Sequence, residues 1–192
     1  GGSYKGMLYG IAVTGIIMGI CIPNIGGRGA LYAALAFGLC KALELKPKSK
    51  TAGTVMLAAA VSATMPAYMF LTDLGIVGLN AASNFAEVSM LSWVKWFLYV
   101  GPPLLVWLFF SIWLLTKLFK PEEALESKEV FEKELKALGK WRPQEIKMAI
   151  LMLIVLALLL TTGWHQLDVG WIFLLAACVC FLPGINLATE ED

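Results

Sequence analysis

The chain has 192 residues, of which 59% are hydrophobic and 15% charged, with a mean hydropathy of +0.75. A soluble domain of that length cannot hide so much apolar surface, so the composition points to a multi-pass membrane protein. The formal net charge of +1 gives no bulk electrostatic case for nucleic-acid binding.

In chain order, residues 4–22 form a first apolar run, with Gly6, Gly10, Gly15 and Gly19 near one helix face. Small residues at that spacing let another backbone approach closely. Residues 29–45 form a second run, ended by the charged stretch "KALELKPKSK". A third, Ala-rich run starts at Thr51, meets Pro66, and is followed by Asp73 inside apolar sequence. Residues 80–89 read as a polar connection. Trp93, Trp96 and Tyr99 read as an interfacial aromatic belt beside Lys95, and Gly101-Pro102-Pro103 reads as the start of a span over 104–118. Residues 121–142 carry six acids and five bases, with Phe131, Leu135 and Leu138 on one face, so a surface helix linking two bundles is expected. Residues 148–162 read as a span, "GWHQLD" as a turn, and 169–182 as the return, stopped by Pro183-Gly184.

The ends and the cysteines add little chemistry. The chain opens on Gly-Gly-Ser without a signal-peptide pattern and closes on acidic residues just after an apolar run, as expected for an internal fragment led by an expression remnant. Cys21, Cys40, Cys178 and Cys180 all lie in apolar runs and read as reduced packing residues. One residue separates Cys178 from Cys180, which suits neither a redox pair nor a zinc site.

Charge orients the whole. Thirteen of the fifteen bases, all but Arg28 and Lys95, fall at the outer ends of the first two runs or around the 121–142 linker. The connections at 80–89 and 164–168 hold none. By the positive-inside rule the basic side is cytoplasmic.

"CIPNIGGRGALY", residues 21–32, places a turn between the first two runs. It is either an outer loop between two spans or the tip of a re-entrant hairpin; both put the ends on one side. Irregular backbone at membrane depth is tolerated only where protein buries it or it lines a watery cavity. A helix starting at such a tip directs free N–H groups and the positive end of its dipole at the site. Gly26, Gly27 and Gly29 permit close approach to the backbone, Asn24 offers an amide, and Arg28 a fork for a carboxylate. The chemistry indicated is anion binding. A second interrupted run at "SATMPAYMFLTD" supports a site between discontinuous helices, with Asp73 as a buried acid or simply a helix cap.

These residues resemble a family. "CIPNIGGRGALY" is similar to the "PSNTAR" hairpin tip of the divalent anion/sodium symporter family, nearest its citrate/succinate and oxoglutarate/malate exchanger branch. "MFLTD" resembles that branch's "AMFLTA". The segments "WVKWFLYVGPPLLVWLFFSIWLLTKLFKPE", "ELKALGKWRPQEIKMAILMLIVLALLLTTGWHQLD" and "FLLAACVCFLPGI" follow the same order as its tryptophan-bearing lead, span, linker and next span pair. The resemblance implies an all-α, multi-pass membrane fold with a re-entrant hairpin, a broken helix and about four further transmembrane or interfacial helices, part of an inverted-repeat, elevator-type transporter. It assigns residues 1–89 to the hairpin and broken helix of the transport domain and 90–120 to an interfacial lead and transmembrane helix. Residues 121–143 become a cytoplasmic amphipathic linker, and 144–192 the first two spans of the second repeat.

By the same resemblance the substrate-binding residues are Pro23, Asn24, Ile25, Gly26, Gly27 and Arg28 at the tip, and Ser62, Ala63 and Thr64 in the second break. The departures bear on coupling. A gapless match puts Asn24, Ile25 and Gly26 where the family has Ser, Asn and Thr; a one-residue slip keeps Asn24 as the asparagine. Ala63 replaces an asparagine and Ser62 a glycine. Ile25 and Ala63 supply no side-chain oxygen, which argues against sodium coupling at this half-site.

The expected function is a secondary transporter or exchanger of small di- or tricarboxylates (succinate, malate, oxoglutarate, citrate or tartrate class) in the cell inner membrane, homodimeric by resemblance, with no cofactor. The alternatives are a carrier of another divalent anion such as sulfate, or a non-transporting subunit or paralogue. An enzyme is not expected: the single histidine, His165, sits in a short turn between Trp164 and Asp168, and no Ser/His/Asp or metal-ligand set has workable spacing.

Overall fold

The computed structural model describes residues 3–22, 24–85 (of Asp73, the backbone), 91–121, 132, 133, 136, 139–182, 185 and 187, and its described elements are all helices. The chain is all-α. Among the described residues, four helical stretches are long and apolar enough to cross a membrane: Tyr4–Cys21, Lys50–Met69, Trp93–Leu118 and Pro143–Leu160. The chain divides into two compact units, Gly1–Met90 with Trp96–Leu138, and Leu91–Lys95 with Gly139–Asp192.

In the first unit, α1 (Tyr4–Cys21) starts at Ser3, whose Oγ accepts the Gly6 N–H at 3.2 Å. After a connection of three residues, α2 (Ile25–Ala42) starts at Asn24. A turn with positive φ at Glu44 and Lys48 leads to Ser49, which caps α3 (Lys50–Thr64) through the Ala52 N–H at 3.2 Å. α3 packs against both arms of the hairpin. Its buried face is small (Val55, Ala58, Ala59, Ala63) and meets Leu8 and Ala12 of α1 and Tyr32 and Ala36 of α2 in one core. Between apolar helices in lipid, association rests on such close van der Waals packing rather than on water exclusion.

Two of the four α1 glycines make that closeness possible. A Cβ on Gly15 would lie 2.5 Å from the Ser62 carbonyl oxygen, and one on Gly19 would collide with the Pro66 ring. Gly10 faces open space.

Pro66 does not end the third run. Met65 keeps a right-handed helical conformation, and the chain continues as the short α4 (Pro66–Met69) before Phe70 turns extended at ψ 147. α5 (Asp73–Phe85) begins after Thr72. It absorbs much of the expected 80–89 connection, because Ala81 and Ala82 favour helix and the Ser83 hydroxyl bonds back to the Asn80 carbonyl at 2.9 Å. The rest of that connection, 86–90, lies outside the described residues.

α6 (Trp93–Leu118) runs for 26 residues straight through Pro102 and Pro103, so the prolines interrupt its hydrogen-bond ladder without starting a new helix. From Ile112 and Leu108 it contributes to the first unit's core. Tyr99 is 71% exposed, as a belt residue should be, whereas Trp93 is 4% exposed and buried. The Phe131, Leu135 and Leu138 face of the linker and the Pro183-Gly184 stop lie outside the described residues.

In the second unit, α7 (Pro143–Leu160) pairs with α9 (Val169–Cys180), joined by the single turn α8 (Thr162–His165). Glu145 accepts the Arg142 N–H at 3.0 Å, Asp168 caps α9 through the Gly170 N–H at 2.7 Å, and Lys147 Nζ donates to the Ile185 carbonyl at 3.0 Å. His165 fastens the turn: its Nδ1 accepts the Leu167 N–H at 3.0 Å, which leaves the Nε2 proton for the Leu158 carbonyl at 2.9 Å.

The glycine contacts set a stability test. Gly15→Ala and Gly19→Ala should each destabilise the detergent-solubilised full-length protein by about 1–3 kcal/mol through overpacking, while Gly10→Ala, where no atom is near, is neutral or mildly stabilising. Equal melting temperatures for all three variants would mean that α1 does not lie this close to α3.

Candidate functional site

The site is built where α1 stops, α2 starts and α3 is distorted. Asn24 is exposed and accepts the Gly27 N–H on Oδ1 at 2.8 Å, taking one of the four N–H groups that the first turn of α2 cannot satisfy itself. Gly26 and Gly27 are exposed beside it, and Ile25 is half-buried. A Cβ on Gly26 would stand 3.2 Å from the Asn24 oxygen and one on Gly27 3.7 Å, so the glycines keep the tip thin rather than holding a special backbone shape. No acid occupies the first turn of α2, so its positive dipole end is not neutralised from within the helix. Pro23 lies outside the described residues.

Arg28 behaves differently from the exposed fork expected of it. It is fully buried, at 0% exposure. Its Nε donates to the Ala63 carbonyl at 2.7 Å and its Nη1 to the Ile22 carbonyl at 2.5 Å. Both acceptors have a local cause. Ile22 caps the C-terminus of α1, where carbonyls lack helical partners. Pro66 has no N–H for the carbonyl four residues back and its ring pushes that turn open, which frees the neighbouring Ala63 carbonyl. A cation set at two carbonyl-rich helix ends also complements their negative dipoles, whereas next to its own helix start it would oppose the positive one. Arg28 therefore ties the tip of the hairpin to the distorted end of α3.

Ser62 and Ala63 are buried and Thr64 is exposed. The Ser62 hydroxyl donates to the Ala58 carbonyl at 2.6 Å and the Thr64 hydroxyl to the Ala60 carbonyl at 2.9 Å. Both protons are thus engaged inside α3, and only the oxygen lone pairs are left to receive anything. Ala63 takes part through its backbone carbonyl. The structure thus joins Arg28 and Ala63 directly and sets Ser62 against Gly15 of α1.

The extended break lies further along, at residues 70–72, and the first turns of α6 brace it. Trp96 Nε1 donates to the Tyr68 carbonyl at 3.1 Å, and the Phe70 and Phe97 rings stack at 5.6 Å with 5° between planes. A Cβ on Gly75 would lie 2.5 Å from the Phe70 carbonyl oxygen, so only glycine fits there. Thr72 is 2% exposed, and its Oγ1 has no hydrogen-bond partner among the described residues. Sequence reasoning passed over Thr72 and Gly75; the available signal was a threonine immediately before a helix start and a glycine inside its first turn.

Comparison with known proteins bears on these features. The family model described as the sodium:sulfate symporter transmembrane region matches residues 1–187. A Cupriavidus necator protein named only "Membrane protein" is 23% identical over 201 residues, covering 97% of this chain and 37% of that protein. A Bacillus subtilis protein provisionally named malate transporter YflS is 26% identical over 189 residues, covering 94% of this chain and 39% of that protein. The chain thus spans somewhat over a third of the length of these curated relatives.

If Arg28 is a brace, Arg28→Ala strands two carbonyls, at about 1–3 kcal/mol each. The full-length variant should melt well below the parent in detergent without any anion present. Arg28→Lys, which keeps the charge but not the planar fork, should fall between. An unchanged melting temperature for the alanine variant would remove the bracing role.

Proposed function

Because the chain belongs to the sodium:sulfate symporter transmembrane family, we propose that it is part of a secondary carrier of small di- and tricarboxylate anions across the cytoplasmic membrane. The observation that carries this reading is the tip at residues 24–28: an exposed, glycine-thinned helix start with a fully buried guanidinium beneath it. Such a start attracts a carboxylate through its N–H groups and dipole. Arg28 adds positive potential from a place where water screens it poorly. Gly26 and Gly27 leave room for the anion to reach the backbone, and the α3 end at Ser62, Ala63 and Thr64 forms the wall behind the tip.

The malate assignment of the Bacillus subtilis relative favours a carboxylate, and the family's own description keeps sulfate as the rival anion. We read the carrier as an exchanger without sodium at this half-site. Ile25 and Ala63 bring no side-chain oxygen, and the Ser62 and Thr64 hydroxyls already donate within α3. The rest of the site comes from sequence outside this chain. The elevator movement, the homodimer, the inner-membrane location and the cytoplasmic side of the linker belong to the same reading, supported by resemblance and by the placement of the bases.

The test uses the full-length protein in proteoliposomes loaded with unlabelled malate, citrate or sulfate, with labelled anion added outside. Saturable malate or citrate exchange, equal with and without sodium, is expected. Gly27→Cys should react with an impermeant maleimide and be protected by the transported carboxylate. Flux with sulfate only would replace the substrate class, and a strict sodium requirement would overturn the exchange reading. Labelling of the cysteine that ignores a transported substrate would remove the tip from the site.

A further inference from the structure

A cavity of about 400 Å³ opens in the first unit where the start of α1 meets the end of α6. Lys5, Lys117 and Lys120 line it, together with Ser3, Tyr4 and Thr116. The uncharged polar groups are engaged in holding its shape. Tyr4 donates its hydroxyl to the Phe119 carbonyl at 3.2 Å, Thr116 to the Trp113 carbonyl at 2.7 Å, and Ser3 Oγ accepts the Gly6 N–H. That leaves the three lysines as the charged residues that line the cavity. Among the described residues none of them pairs with a carboxylate, and Lys117 instead sits 5.8 Å from the centre of the Trp113 ring.

Trp113 begins an aromatic row that leads away from the cavity. Its ring stacks on Phe110 at 5.7 Å, and Phe110 meets Trp107 at 6.1 Å. The three are 46%, 46% and 54% exposed. A cationic cavity at the ends of two membrane-length helices, continued by an exposed aromatic track along one of them, matches a molecule with an anionic head and apolar chains. A free inorganic anion would use the lysines and leave the track idle.

We infer that Lys5, Lys117 and Lys120 hold the phosphodiester of an anionic phospholipid, whose acyl chain lies along Trp113, Phe110 and Trp107. The site is separate from the hairpin tip and does not depend on which anion the protein carries.

The measurement is native mass spectrometry of the full-length protein in nonionic detergent, titrated with dioleoylphosphatidylglycerol or dioleoylphosphatidylcholine. Phosphatidylglycerol should bind the parent well above phosphatidylcholine. Each Lys→Gln change should weaken it about fivefold, and the Lys5→Gln/Lys117→Gln/Lys120→Gln variant about a hundredfold, with arginine at all three positions restoring it. The control Lys46→Gln/Lys48→Gln/Lys50→Gln removes the same charge from the α2–α3 turn and should leave binding intact. An equal loss in that control would reduce the effect to diffuse surface attraction and overturn the site. Equal binding of phosphatidylcholine would overturn the charge recognition. Displacement of the lipid by millimolar inorganic phosphate would overturn the lipid in favour of a free phosphate.

Discussion

The architecture of the first unit depends on one buried cation. Arg28 could not sit in a low-dielectric interior unless polar atoms surrounded its donors, because burying an uncompensated charge costs far more than a helix bundle of this size can offset. The acceptors are backbone carbonyls that two ordinary events set free: the end of α1 at Ile22 and the turn that the Pro66 ring pushes open at Ala63. Each partner needs the others. Without Pro66 the Ala63 carbonyl would return to its own helix, and without Arg28 it would be an unpaired dipole beside apolar side chains. Gly15 and Gly19 complete the constraint, since a thicker α1 would hold the broken end of α3 too far away for the arginine to bridge them.

Much of this was legible in the sequence. The hairpin turn, the small-residue face of α1 and the distortion near Pro66 all follow from Gly, Pro and cap residues, whose effects are local. What escaped was the direction of side chains that choose among distant partners. Arg28 reads as a fork for a ligand because nothing in its neighbourhood shows that Ala63, 35 residues away, will offer a carbonyl. Trp96 reads as a belt residue, yet its indole N–H is drawn to the Tyr68 carbonyl beside the break. Within the interrupted run the chain turns extended at residues 70–72 rather than at Pro66, for a physical reason. A proline in a well-packed helix bends it and removes one hydrogen bond without forcing the chain extended, whereas Phe70 turns extended where aromatic stacking and Gly75 let the next helix start close by.

The double proline of α6 has a consequence for depth. Pro102 and Pro103 give no N–H to the carbonyls of Leu98 and Tyr99, and both those residues are exposed. Bare carbonyls facing hydrocarbon cost several kcal/mol each, so this point of the helix belongs at the level of glycerol and water. From Pro103 to Leu118 the helix covers about 24 Å, most of the roughly 30 Å of a bilayer's hydrocarbon core. The prolines and Lys117 therefore act as two marks on one ruler. They fix where α6 sits along the membrane normal and leave little freedom for it to slide when other parts of the protein move.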